Sequence, residues 1–406
     1  MREDTAVVEV PEVAIVADEE LPLPPPSSPG EVPDDELVLE VDGKRFRSWD
    51  NVQVTRGCER MPSTFTLSLT ERFPGELGQV VIRPGQSCVV RIGRDTVLTG
   101  YVDRYLPVLD ARQHSVVVLG RSKSQDLVDC SAVFDTYQLS GVTVRDIAAT
   151  LARPYGIEVL APEGDGPVVP QLNLQFGETT WDVIERLCRF AKFLCYDDPN
   201  GNIVLRPVSF ERHASGVREG VNLKSASAAF TMDERFSEYH IYPLSVFPLM
   251  QANGASDVGT LPPPSGQARD DGVPRLRRRI LILEHAGQGS LEEAAKRRAE
   301  WEQARRVGRS ESIRVTVDSW RDSQGRLWEP NRLAPVHVPT CHVHEQEWTI
   351  AEVTFSRGES GTTASLILMP PRAFDPEYVP LFDFNFEQIR RAVTEPDKGS
   401  QPGPSQ

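Results

Sequence analysis

His342 and His344 stand two residues apart, with Cys341 beside them and His337 a few positions upstream. On a β-strand, side chains two apart share a face, so two imidazoles at this spacing can hold a metal ion. A third ligand at convincing spacing is missing, and Glu345 or Glu347 would have to serve. The plainer expectation is a polar strand face with no metal and no other cofactor. Nucleophilic catalysis needs a serine or cysteine activated by a base. No Gly-x-Ser-x-Gly occurs, and the cysteines and histidines form no local catalytic signature. Carboxylate pairs arise by chance among 59 acids, so they say nothing about glycoside cleavage. No Gly-x4-Gly-Lys-Ser/Thr phosphate loop is present either.

The sharpest charge feature runs from Arg275 to Arg309. Ten bases, among them Arg277, Arg278, Arg279, Arg297 and Arg298, face five acids, a balance of +5. Three readings stand side by side: a solvated helix face laced with ion pairs, a dock for an acidic neighbour, or nucleic-acid binding. Phe382, Phe384 and Phe386 alternate near the C-terminus, the pattern of an edge strand added to a neighbour or of an intramolecular packing segment. Trp181, Ile184 and Leu187 fit a helix core.

These residues must be positioned by elements, and 406 residues suggest two to four domains. Apolar runs such as Ser365 to Met369 are too short to span a bilayer, and no secretory signal opens the chain, so membrane insertion is not expected and synthesis is expected in the cytoplasm. Of the net charge of −15, residues 1–36 carry eleven acids against one base, or −10, leaving −5 for the rest. The six cysteines form no CxxC and read as free, mostly buried thiols of a reducing compartment.

Residues 1–36, with the run Leu21 to Pro29, are expected to be a flexible, disordered, acidic proline-rich leader. Residues 37–128 alternate as short strands: Leu37, Leu39 and Val41, then Asp42-Gly43 as a hairpin signal, then Phe65, Leu67 and Leu69 between threonines and serines. Residues 129–212 read as a small α/β domain. Thr143 caps one helix that Pro154-Tyr-Gly156 ends, a second begins near Thr179, and Asp198-Pro-Asn-Gly201 is a turn. Residues 213–375 return to strands from Ala228, with a loop at 243–274 and a helix at about 290–306 capped by Ser290 and Glu293. Residues 376–406 form a tail.

The two β-regions resemble each other. Glu59-Arg60 precedes Ser63, Phe65 and Leu67; Glu234-Arg235 precedes Ser237, Tyr239 and Ile241. Each region ends in a hairpin, Val97 to Leu119 in one and Trp348 to Met369 in the other. The expected fold is therefore mainly β with an α/β insertion: two similar small antiparallel β-barrels plus a small α/β domain. Three chains with two such copies each would set six similar walls around an axis.

The segments Leu37 to Phe46 with Trp49, Val52 to Arg56, Ser63 to Leu69, Leu139 to Ala149, Gly177 to Ala191 and Trp328 to Pro371 resemble the baseplate hub proteins of contractile-tailed phages, the Mu-type tail protein and late control D family. The resemblance covers about residues 37–375. It implies a homotrimeric ring in the virion, between the tail tube protein and the central spike protein and beside other baseplate proteins. DNA would pass transiently through its channel. The acidic leader departs from the family pattern. A peptidoglycan-acting tail enzyme and a secretion-type spike trimer are the alternative readings.

Overall fold

A computed structural model describes residues 35–71, 82–109, 114–134, 138–243, 264–283, 291–359 and 361–376. Alternating apolar residues lay down the first strands: β1 (Leu37–Val41), β2 (Lys44–Phe46), β3 (Asn51–Gly57), β4 (Thr64–Glu71), β5 (Ser87–Ile92), β6 (Asp95–Leu109) and β7 (His114–Ser122). In β4, Phe65 and Leu67 are buried while Thr64 and Thr66 beside them are half-buried. At Gly120 of β7 a Cβ would sit 2.5 Å from the Phe65 ring, so only glycine lets that ring lie flat across the ladder.

An α/β unit follows, with α1 (Gln125–Asp129), α2 (Val144–Ala152), α3 (Thr180–Ala191), β8 (Leu194–Asp197) and β9 (Ile203–Arg206). Thr143 Oγ1 accepts from the Asp146 N–H at the start of α2. Thr179 and Asp182 cap α3 reciprocally, at 3.0 and 3.1 Å. Gly156, at φ +65°, ends the turn that extends α2, as the Pro-Tyr-Gly punctuation requires. Ile147, Leu151, Val183, Ile184 and Leu187 form the unit's own core, with Trp181 packed partly buried against it.

Beyond it lie β10 (Leu223–Phe230), β11 (Glu238–Pro243), β12 (Gly266–Arg269), β13 (Arg278–Leu283), α4 (Leu291–Arg309), β14 (Glu311–Val317), β15 (Leu333–Val338), β16 (Val343–Gly358) and β17 (Gly361–Met369). The returning strand begins at Leu223, not Ala228, and α4 continues past Arg306. Ser290, its expected cap, lies outside the described residues, as do most of residues 1–36 and of loop 243–274.

The expected pair of separate barrels is corrected. Among the described residues neither half closes on itself. Thirteen strands form one sheet in the order β10-β14-β17-β16-β3-β4-β7-β6-β5-β1-β2, with β15 and the two-residue strand Val217–Arg218 beside it. The reason is the sixteen-residue β16. One edge of it pairs with β17; the other pairs with β15 over its first half and with β3 over its second. The walls of the two halves therefore join edge to edge, and their inner side chains share one core.

The proposed repeat is corrected as well. Ser63 to Leu67 lead into a strand of this large sheet, whereas β11, which carries Tyr239 and Ile241, sits in a separate three-stranded sheet, β12-β11-β13. There β11 pairs parallel with β13 and antiparallel with β12. Helix α4 covers one face of that sheet, through Ala295 and Ala299 against Ile241. The two terminal hairpins, β6–β7 and β16–β17, do both lie in the large sheet.

Phe355 of β16 is fully buried opposite Val54 of β3, edge-on to the Trp320 ring at 6.2 Å. Phe355→Ala should lower the unfolding free energy in urea by about 3–5 kcal/mol. A loss below about 1 kcal/mol would show that the seam is not packed as described.

Candidate functional site

Three buried polar clamps hold the units together. Asp197, at the end of β8, projects from the α/β unit into the large sheet. Its carboxylate accepts from the Ser63 N–H at 2.9 Å, Ser63 Oγ at 2.6 Å, Ser124 Oγ at 3.1 Å and the Ser122 hydroxyl. A buried carboxylate is tolerated only when its lone pairs are filled in this way. Asn331, at φ +59°, forms the second clamp. Its Oδ1 accepts from the Ser209 N–H at 2.9 Å, and its Nδ2 donates to Tyr196 Oη and the Pro207 carbonyl, both at 3.3 Å.

The third clamp is a His–Asp pair, the arrangement that most resembles catalytic machinery. His213 Nδ1 lies 3.1 Å from Asp322 Oδ2, and His213 Nε2 accepts from the Glu329 N–H at 3.1 Å. The backbone donor fixes the tautomer: Nδ1 carries the proton and Nε2 has no lone pair left to act as a base. Burial pushes the imidazole below its ordinary value, against the pull of Asp322. Burial raises Asp322 in turn, but bonds from His213 and from the N–H groups of Arg326, Ala214 and Gln324 outweigh it and hold the carboxyl below its ordinary value. The pair ties the backbone at Ala214 and at Glu329 to Asp322 and His213. Burial likewise raises the thiols of Cys58 and Cys88, the latter to about 12, which keeps them protonated. All six cysteines are free.

His342 and His344 do not share a strand face. His342 is left-handed, at φ +59°, and closes a short 3-10 turn, while β16 starts at Val343. The His344 ring meets the His337 ring edge-on at 6.2 Å, and His337 Nδ1 faces Glu345 at 3.2 Å. Among the described residues no group of three His, Cys, Asp or Glu side chains gathers as a metal site.

The arginine run folds back on the chain. Arg278 pairs with Glu238 at 2.8 Å and Arg297 with Glu293 at 2.7 Å. Arg277 and Arg279 stack on the Phe236 ring at 5.2 and 5.4 Å, and Arg298 on Trp301 at 4.9 Å. Arg305 and Arg309 reach back to Glu59, so α4 is tied to the first half of the chain. Between α3 and α4 a cleft of about 340 Å³ is lined by Trp181, Arg189, Phe193 and Trp301. Phe382, Phe384 and Phe386 lie outside the described residues.

Asp197, Asn331 and His213 had no signal as functional residues. Asp197 precedes a turn-forming Asp-Pro-Asn-Gly, and Pro330-Asn331 is itself a turn dipeptide. Only the partners that folding brings, 73 to 135 positions away in sequence, give these side chains their role.

The described residues thus form one large sheet braced by buried polar clamps. Three family models match in chain order: Mu phage baseplate assembly protein GpP-like, N-terminal, over residues 36–122; baseplate hub protein gp44-like, second domain, over 124–207; and Mu phage baseplate assembly protein GpP, fourth domain, over 291–377. The 43 kDa tail protein of prophage MuSo2 from Shewanella oneidensis is 31% identical, with a TM-score of 0.73 over 84% of this chain and 99% of that one. A tail protein from Neisseria meningitidis MC58 shares the fold at 20% identity, with a TM-score of 0.64 over 85% of this chain and 99% of that one. These matches define a phage tail baseplate protein of structural type. Baseplate hub protein gp44 of Escherichia phage Mu is 29% identical over 347 residues, 83% of this chain and 88% of that protein. The chain belongs to the Mu-type baseplate hub family.

Asp197→Ala would leave three hydroxyls and an N–H without their acceptor. It should cost about 3 kcal/mol in urea unfolding, and a loss under about 1 kcal/mol would deny the clamp. His213 binds its proton less readily folded than unfolded. Stability should therefore be full above the ordinary value of 6.5 and fall as the pH drops below it toward the folded value. The melting temperature should decline from pH 7 to 5, and His213→Gln should flatten that decline. Equal slopes in both proteins would contradict the buried neutral imidazole.

Proposed function

We propose that three copies of this chain assemble into a ring that joins the tail tube to the central spike and encloses the channel for DNA. The continuous thirteen-strand sheet carries this reading: it gives each copy a single stiff wall contributed by both ends of the chain. A wall whose halves share one core transmits load without hinging. The family membership supports the same role, since the matched relatives are baseplate and tail proteins.

In this reading the protein has no turnover and needs no cofactor. It is made in the host cytoplasm and ends in the virion. Its partners are its own copies, the tube protein, the spike protein and other baseplate proteins. Residues 37–128 and 213–375 build the wall, and residues 129–212 decorate it. The surface around Arg277, Arg278, Arg279, Arg297 and Arg298 and the segment holding Phe382, Phe384 and Phe386 are the contact regions it assigns. No helix among the described residues is long and apolar enough to cross a membrane.

Light scattering of the purified chain, with a subunit mass of 45.2 kDa, tests the assembly directly. The expected species is a trimer of about 136 kDa, three times the subunit mass. A single monomeric species persisting to roughly millimolar concentration would contradict the ring.

A further inference from the structure

We propose that Cys188 and Cys195 form a paired modification site, which a small disulfide oxidant converts into a cross-link between α3 and β8. Both thiols are free in this structure. The chain brings them together by reversing direction at Lys192, which is left-handed at φ +58°. The Phe193 N–H then bonds to the Cys188 carbonyl at 2.9 Å, and β8 sets off beside the helix end. Cys195 meets Cys188 in the core of the α/β unit, and its thiol donates to the Cys188 sulfur. Two sulfurs in such contact need only small side-chain rotations to reach bonding distance.

The pair is buried but not sealed off. Cys188 and Cys195 are 3% and 7% exposed, and both stand in the wall of the cleft of about 340 Å³ between α3 and α4. Cys58 lines the same cleft, but its thiol is engaged by the Ile350 carbonyl at 3.9 Å. An oxidant entering the cleft is attacked by one cysteine thiolate, which forms a mixed disulfide and releases one reagent thiol. The second cysteine gives up its proton and attacks the protein sulfur of that mixed disulfide. The second reagent thiol then leaves. Two protein thiols are oxidised to one disulfide, and one reagent disulfide is reduced to two thiols. The consequence is mechanical. Asp197, two residues beyond Cys195 on β8, is the carboxylate that Ser63 binds from the large sheet. The cross-link ties α3 to the strand that anchors the whole unit, whether or not the chain stands in a ring.

Peptide mapping of the full-length protein reads this directly. Trypsin cuts after Arg189 and Lys192, between the two cysteines, so a cross-link leaves the peptides Leu187–Arg189 and Phe193–Arg206 joined. The native protein is equilibrated with 2-hydroxyethyl disulfide and 2-mercaptoethanol, quenched in acid, alkylated, digested and read by mass spectrometry. The ratio of joined to separate peptides should be at least about tenfold higher than after the same equilibration in urea. The fold, and not mere nearness in sequence, would then be what pairs the thiols. A native ratio no higher than that in urea would overturn the proposal. Cys188 joined mainly to any other cysteine would overturn it too.

Discussion

The ladder between β3 and β16 is the interaction on which the rest depends. Six residue pairs, from Val52 opposite Arg357 to Gly57 opposite Glu352, join segments some 300 positions apart. Bringing such distant segments together costs about 5 kcal/mol in loop-closure entropy. Val52, Val54, Val353 and Phe355 are buried along the seam, and each contributes about 1.5–3 kcal/mol. Burial therefore exceeds closure. Thr55 and Thr354 add a hydroxyl contact at 3.0 Å, and Arg60 reaches Glu352 at 3.0 Å. Without the seam the chain would hold two smaller sheets with exposed edges; with it, both halves form one wall.

The clamps secure what hangs on that wall. The α/β unit is tied in by Asp197 beneath the serines and by Asn331 beside Tyr196. Arg321 from the second half reaches Asp95, at the β5–β6 turn of the first, at 2.6 Å. Helix α4 is held by Glu59 and by the carbonyl of Asp375, which accepts from Trp301 at 2.8 Å and Arg305 at 2.9 Å. At Gly308 a Cβ would lie 2.5 Å from the Ala373 backbone nitrogen, so the helix packs directly on the chain. Charge that stands out in the sequence as a basic run is in large part spent inside the molecule.

Local elements were legible because their signals are local. The alternation in β4, β14 and β17, the threonine caps of α2 and α3, and the Asp-Pro-Asn-Gly turn each act within a few residues. The family, too, was legible from segment order. The seam was not, because ladder partners carry no complementary letter: backbone groups pair beneath almost any side chain. The same reason misdirected the repeat. Ser63 and Ser237 stand in similar strings, yet one donates to a buried carboxylate and the other to the Arg277 carbonyl in a different sheet. His342 failed as a strand residue because a left-handed turn intervenes, which no periodicity records.

Tryptophans placed on both sides of the seam allow its cooperativity to be read. Trp49 belongs to the first half, and Trp320, Trp328 and Trp348 to the second, all within the shared core. In a urea titration of protein labelled with 5-fluorotryptophan, their native fluorine resonances should vanish at one common midpoint with one slope. If the Trp49 resonance disappears at a separate midpoint while the other three persist, the two halves are independent and the single wall does not exist.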